Sequence, residues 1–220
     1  MTIITTIHQA LTDIGYPAQK VKTAQVRAIS ADIFKKLTNK DIDAVLAQCD
    51  ALLEQGDWAY GVIAYDWAFR VRKHYTPHTF TTFERWLFTY VSDWNDCDDF
   101  CTHAFGELLR QYQHLFDHVL KWVEHPNFAV RRATAVILIY PINKNNYSQL
   151  DPLAVADLLQ NDEHDLVQKG YGWMLKVLSK HDPETVINYL TQHHSTMTRT
   201  AFRYALEKLD KSAQQQLMAL

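Results

Sequence analysis

Glycine and proline are scarce in this chain, six of each in 220 residues. All-β and dinucleotide-binding folds spend glycine freely on turns and phosphate loops, so both are disfavoured. Neither GxGxxG nor GxxxxGK[ST] occurs, which removes the common nucleotide cradles. The three cysteines, Cys49, Cys97 and Cys101, are odd in number and too few for a disulfide framework, and they point to a reducing compartment. No run of about 18 apolar residues exists, so no membrane-spanning helix is expected. The first residues, Met1 to Thr6, lack a basic segment followed by an apolar one, so no secretory signal is expected and the cytoplasm is the expected location. Positive charge is also in deficit: 22 Lys and Arg stand against 25 Asp and Glu, a net charge of −3. That excludes a uniformly basic coat for nucleic acid, though not a basic face.

What is present is a helical chain. Apolar residues make up 47% and charged residues 21%, enough to build a packed core. Val26, Ile29, Ile33, Phe34 and Leu37 recur at helical spacing over 23–37, as do Ile42, Val45, Leu46, Leu52 and Leu53 over 40–55. A first helix over 4–14 stops at Gly15, and Gly56 stops the third. Asp57 caps a helix over 58–74. Further helices are expected over 79–92, 96–111, 113–124, 128–140, 152–160, 164–180, 184–193, 197–209 and 211–219. Asn127 caps the one that carries Arg132, which Pro141 is expected to end. Asp182, Pro183 and Glu184 form another start: cap, first-turn proline and first-turn acid. About a dozen short helices joined by short connectors suit a stack of helical hairpins better than a four-helix bundle. The expected fold is therefore all-α, an α-α superhelix (solenoid) of HEAT-like helical repeats of about 40 residues, with a concave face, and a single domain over 1–220.

Charge is uneven along this frame. Lys20, Lys22, Arg27, Lys35, Lys36 and Lys40 crowd residues 20–40, and a second basic stretch holds Lys169, Lys176, Lys180, Arg199, Arg203, Lys208 and Lys211. Acids concentrate at 93–99 and 151–165. Such a distribution allows a positive groove, or simply an ordinary solvated surface.

Three stretches can carry chemistry. Asp93-Trp94-Asn95-Asp96-Cys97-Asp98-Asp99 opens a helix with four carboxylates, which the helix dipole favours only in part. Trp94 and Asp98 stand at i and i+4, on one face, where an indole and a carboxylate can hold a cationic group. Arg131-Arg132 lies in an apolar helix, Phe128 to Ile139, and would serve a ligand phosphate or an ion pair to a neighbouring repeat. Gly170-Tyr171-Gly172-Trp173 places two glycines mid-helix, at roughly 1 kcal/mol each relative to alanine. They imply a tight helix crossing or the close approach of a ligand. Trp94, Arg132 and Trp173 are spaced by about one repeat, so all could share one face. Cys97, Cys101 and His103 supply at most three metal ligands, and the aspartate cluster lacks the DDxxD order of magnesium-dependent all-α enzymes.

These motifs carry a family resemblance. The Ser92–Asp98 stretch, the arginine-bearing Asn127–Ala135, the Asp165–Lys176 segment followed by Asp182-Pro183-Glu184, and the closing Met197-Thr198-Arg199-Thr200-Ala201-Phe202 together resemble the AlkD-type DNA alkylation repair proteins, the HEAT-like-repeat DNA glycosylases. Asp93 replaces a second tryptophan common in that family, Asn95 replaces an acid, and Gly170-Tyr171 replaces the commoner Ala-Ile. The resemblance implies a monomeric, nucleoid-associated glycosylase that releases N3- and N7-alkylated purines, such as 3-methyladenine and 7-methylguanine, from double-stranded DNA. It implies Asp98, Trp94 and Trp173 as the catalytic group and Arg132, Lys169 and Arg199 as contacts to DNA phosphates. No metal and no cofactor is implied. The alternative is a catalytically inert HEAT-like scaffold that binds DNA or protein, which would have no need of Asp98 together with both tryptophans.

Overall fold

The computed structural model describes residues 2–220. Among the described residues the chain forms fifteen α-helices and no strand. In order these are α1 (Ile3–Asp13), α2 (Thr23–Lys36), α3 (Ile42–Leu53), α4 (Trp58–Arg70), α5 (Thr79–Tyr90), α6 (Trp94–Phe100), α7 (Gly106–Gln111) and α8 (Phe116–Leu120). There follow α9 (Phe128–Val136), α10 (Ile139–Asn143), α11 (Pro152–Leu159), α12 (Asp165–Leu178), α13 (Pro183–His193), α14 (Arg199–Leu206) and α15 (Lys211–Met218). The caps act as their residue types require. Asp57, Asn127 and Asp182 accept from backbone N–H groups of Ala59, Ala129 and Thr185, while Gly15 and Gly56 leave their helices at φ +88° and +62°. The all-helical architecture is that of an α-α superhelical repeat protein.

The chain divides into two compact units, Met1–Thr82 and Phe83–Leu220. In the first, α2 and α3 both pack on α4, whose residues from Ala59 to Tyr65 are all buried. Trp67 is fully enclosed there, and its indole N–H donates to the Ser30 carbonyl at 3.2 Å. Tyr60, Tyr65 and Trp67 are thus core residues, and Trp58 is half-buried.

In the second unit the repeat is visible in the polar contacts. Side-chain hydrogen bonds that reach far along the chain cluster at separations of 31 to 38 residues: Trp122 to Glu84, Asn127 to Val91, Arg132 to Asp98, Arg131 to Asp162, Tyr189 to Asp157. The repeat is shorter than the 40 residues expected, because its helices are short; α6 has seven residues and α9 nine. The packing order is α6 on α9, α9 on α12 and α12 on α14.

Two local expectations change. Residues 96–111 are not one helix: a π-helical turn, Cys101–Phe105, separates α6 from α7. It delivers Gly106 to a crossing with α10, where a Cβ would stand 2.7 Å from Tyr140 Cβ and 3.1 Å from the Ile137 carbonyl oxygen. Pro141 does not end the helix of Arg132 either. That helix stops at Val136, and Pro141 sits in the first turn of α10, where a missing N–H forfeits no intrahelical bond.

Gly172 marks the tightest crossing, α12 against α14. A Cβ there would lie 2.7 Å from the Ala201 carbonyl oxygen and 2.8 Å from Tyr204 Cβ. Gly172→Ala is therefore expected to destabilise the protein by about 2 kcal/mol, a fall of roughly 4–8 °C in Tm, despite alanine's better helix propensity. A thermal melt at or above the wild-type Tm would show that the two helices can separate at no cost.

Candidate functional site

α6 begins at Trp94, immediately after its cap, so the indole stands at the helix entrance and is 43% exposed. One turn later Asp98 points the same way, and Cys97 and Phe100 turn into the core. α9 brings Arg132 to meet Asp98. The guanidinium is only 5% exposed and is held at two points by the carboxylate: Nε donates to Oδ1 and Nη2 to Oδ2, each at 2.8 Å. The third nitrogen, Nη1, donates to the Leu166 carbonyl in the first turn of α12. Gly170 makes room for this. A Cβ on it would stand 3.1 Å from Arg132 Cγ and 3.3 Å from Nη1.

α12 adds Lys169 and the half-buried Trp173, and α14 adds Tyr204. With Trp94, Asp98 and Arg132 they line one cleft of about 320 Å³. Five of the six residues singled out in the sequence therefore meet. Arg199 does not: it opens α14 on the surface, over the Phe202 ring at 5.4 Å, and is not part of the cleft wall. Tyr204 was not singled out. Its only sequence signal is a position one turn beyond Arg199–Thr200 on a helix that reads as simply amphipathic.

The structure places Arg132 differently from a free phosphate ligand. Nε, Nη1 and Nη2 are each engaged within the protein, which leaves little of the guanidinium for an outside anion. Arg131 is likewise a repeat-to-repeat tie, donating to Asp162 at 2.6 Å and to the His125 and Pro126 carbonyls. Lys169 pairs with the exposed Asp165 at 2.5 Å.

Burial pushes the Asp98 carboxyl above the usual carboxylate range, and the Arg132 guanidinium pulls against that push through its hydrogen bonds and charge. Burial also weighs against the Arg132 charge, but Asp98 more than offsets it. Asp96, two residues back on α6, is pushed up from 3.8 to about 6 by burial and then by Asp93 and Asp99. Cys97 and Cys101 are buried free thiols. The cleft thus offers one oriented carboxylate, two indoles, a phenol and an ammonium. A carboxylate between π-faces stabilises positive charge, and it can accept a hydrogen bond from water.

A family model for DNA alkylation repair enzymes matches residues 12–209. No curated protein matches the sequence significantly. Among solved structures, the chain is similar to a protein from Enterococcus faecalis described as a predicted DNA alkylation repair enzyme. The TM-score is 0.73 at 17% identity, over 87% of each chain, a likeness of fold.

Two outcomes are expected at this site. In the folded protein Asp96 holds its proton more tightly than in the unfolded chain, about 6 against 3.8. Its contribution to stability is therefore full below pH 3.8 and is lost as the pH rises through 6. Asp96→Asn should raise Tm at pH 7–8 relative to wild type and lose most of that advantage by pH 4; a pH-independent difference would remove burial as the cause. Gly170→Ala should displace Arg132 and raise the Asp98 pKa further, seen in a carboxyl-carbon NMR titration. An unmoved titration would show that Arg132 tolerates the methyl group.

Proposed function

The chain belongs to the DNA alkylation repair enzyme family, and from that premise we propose that it is a metal-independent glycosylase for N3- and N7-alkylated purines in double-stranded DNA. The observation that carries the reading is the Asp98 carboxylate, fixed by Arg132 in a cleft that Trp94 and Trp173 also line.

Alkylation at N3 or N7 places positive charge on the purine, so the base leaves as a neutral molecule without a general acid. The C1′–N bond lengthens, positive charge moves to the sugar, and water adds at C1′. Asp98 faces that charge, takes a hydrogen bond from the water and accepts the proton that the water loses as it adds. Glycoside hydrolysis with an uncharged leaving group commonly uses two carboxylates; this cleft has Asp98 alone among its lining residues. Trp94 and Trp173 present their π-faces to the sugar as it becomes cationic. Arg132 is a positioning residue. It orients Asp98 and opposes the protonation that burial favours. Lys169 contacts the DNA backbone from within the cleft, and Arg199 does so from the flanking surface. The action is that of a monomer.

The test is release of 7-methylguanine and 3-methyladenine from methylated duplex with EDTA present. Wild type should release both, and Asp98→Asn should lose about a hundredfold or more in rate while binding the duplex as wild type does. Absence of release by folded wild type would leave a DNA-binding scaffold; loss with EDTA would make the reaction metal-dependent. Activity should fall with acid as Asp98 protonates, at a pH above that of an ordinary aspartate. Arg132→Ala should move this acid limb higher in pH and leave the salt dependence of binding unchanged. A slope of log Kd on log salt smaller by about 0.9 would instead make Arg132 a phosphate contact.

A further inference from the structure

With Arg132 engaged inside the protein, the cleft needs another donor set for the phosphate that travels with any nucleotide sugar placed against Asp98. Among the residues lining the cleft, Lys169 is the other cation. Its present partner, Asp165, has a side chain 59% exposed, so the pair is solvated and exchange of partner costs little. Tyr204 stands on the next helix and lines the same cleft. Its Cβ is fixed by the Gly172 crossing, and its ring lies 6.0 Å from the Lys176 ammonium, which is itself held by Glu207. Its hydroxyl makes no hydrogen bond to any described residue. A phenol anchored at its root, half-buried, and with an unengaged hydroxyl is a donor that costs little to order, because only two torsions set its position.

We propose that Tyr204 and Lys169 form one phosphate seat across α12 and α14, the ammonium supplying the charge and the phenol a directed hydrogen bond to a phosphate next to the damaged nucleotide. The proposal rests on the reading of the cleft as a DNA site and deepens it. It gives Tyr204 a substrate contact, and it separates the two tasks that a single arginine would otherwise combine: Arg132 orients the carboxylate, and the Lys169–Tyr204 pair holds the backbone. The phosphate displaces Asp165 from Lys169, so the seat is filled only when DNA is present.

The experiment uses the full chain and a short duplex carrying one 7-methylguanine, with Kd measured by fluorescence anisotropy. A parallel set of duplexes carries a single uncharged methylphosphonate in place of each phosphate flanking the lesion in turn. Wild type should weaken on one of these. Tyr204→Phe keeps the ring and the Gly172 contact. It should bind the all-phosphate duplex about tenfold more weakly, with an unchanged salt slope, and lose less than wild type on the methylphosphonate at that position, where only the Lys169 contact remains to be lost. Lys169→Ala should likewise lose less than wild type there, together with a slope reduced by about 0.9. Binding by Tyr204→Phe equal to wild type, or undiminished sensitivity to every methylphosphonate, would overturn the seat. Tight binding without base release by wild type would overturn the glycosylase reading alone and leave the seat standing. A wild type that binds no duplex would overturn both.

Discussion

The guanidinium of Arg132 is the point at which three helices are tied together. It rises from α9, grips the carboxylate of Asp98 on α6 at two places, and reaches the backbone of α12 at Leu166. A buried ion pair of this kind adds little net stability, because desolvation consumes most of the attraction. Removing one partner is costly, about 3–5 kcal/mol, since it strands the other. The pair therefore acts as a specification: it fixes where Asp98 points and how α6, α9 and α12 are registered. The glycine at 170 is the concession that α12 makes to it, giving up helix propensity so that the arginine can lie flat against the backbone.

The neighbouring features follow from that arrangement. Trp94 is placed by its own helix start, one turn ahead of Asp98, and Trp173 by α12, which must approach α9 closely for Leu166 to be reached. Gly172 brings α14 against α12 and with it Tyr204 into the same cleft. Small residues on α12 thus determine which larger residues line the cleft. The aspartate cluster divides accordingly. Asp93 caps α6, Asp96 is half-buried with its carboxyl pushed up to about 6, and Asp98 lines the cleft in the grip of Arg132.

Much of this was legible in the sequence, for local reasons. Caps at Asp57, Asn127 and Asp182 and stops at Gly15 and Gly56 are decided within a turn of chain, so helix ends were readable there. Trp94, Asp98 and Trp173 stand out because a carboxylate among acids, or glycines beside an indole, depart from what a plain amphipathic helix requires, whereas Lys169 is suggested by the family resemblance alone. The π-helical turn is not readable, since nothing between Cys101 and Phe105 breaks an α-helix; it runs directly into the close crossing at Gly106, a tertiary feature. Pro141 misled because a proline is compatible with both an end and a first turn. The pairing of Arg132 with Asp98 over 34 residues is a tertiary fact, and the sequence left it balanced against a ligand phosphate. Tyr204 carried no local anomaly at all.

Arg131 and Arg132 leave one turn of α9 in opposite senses along the chain, Arg132 back to Asp98 and Arg131 forward to Asp162. Each residue of an α-helix turns the next by about 100°. A single insertion or deletion on the N-terminal side of the two arginines, between Asn127 and Arg131, would swing both side chains away from both partners at once. In that respect α9 behaves as a ruler: its length sets the direction of both arginines, and a change of length costs both ties together.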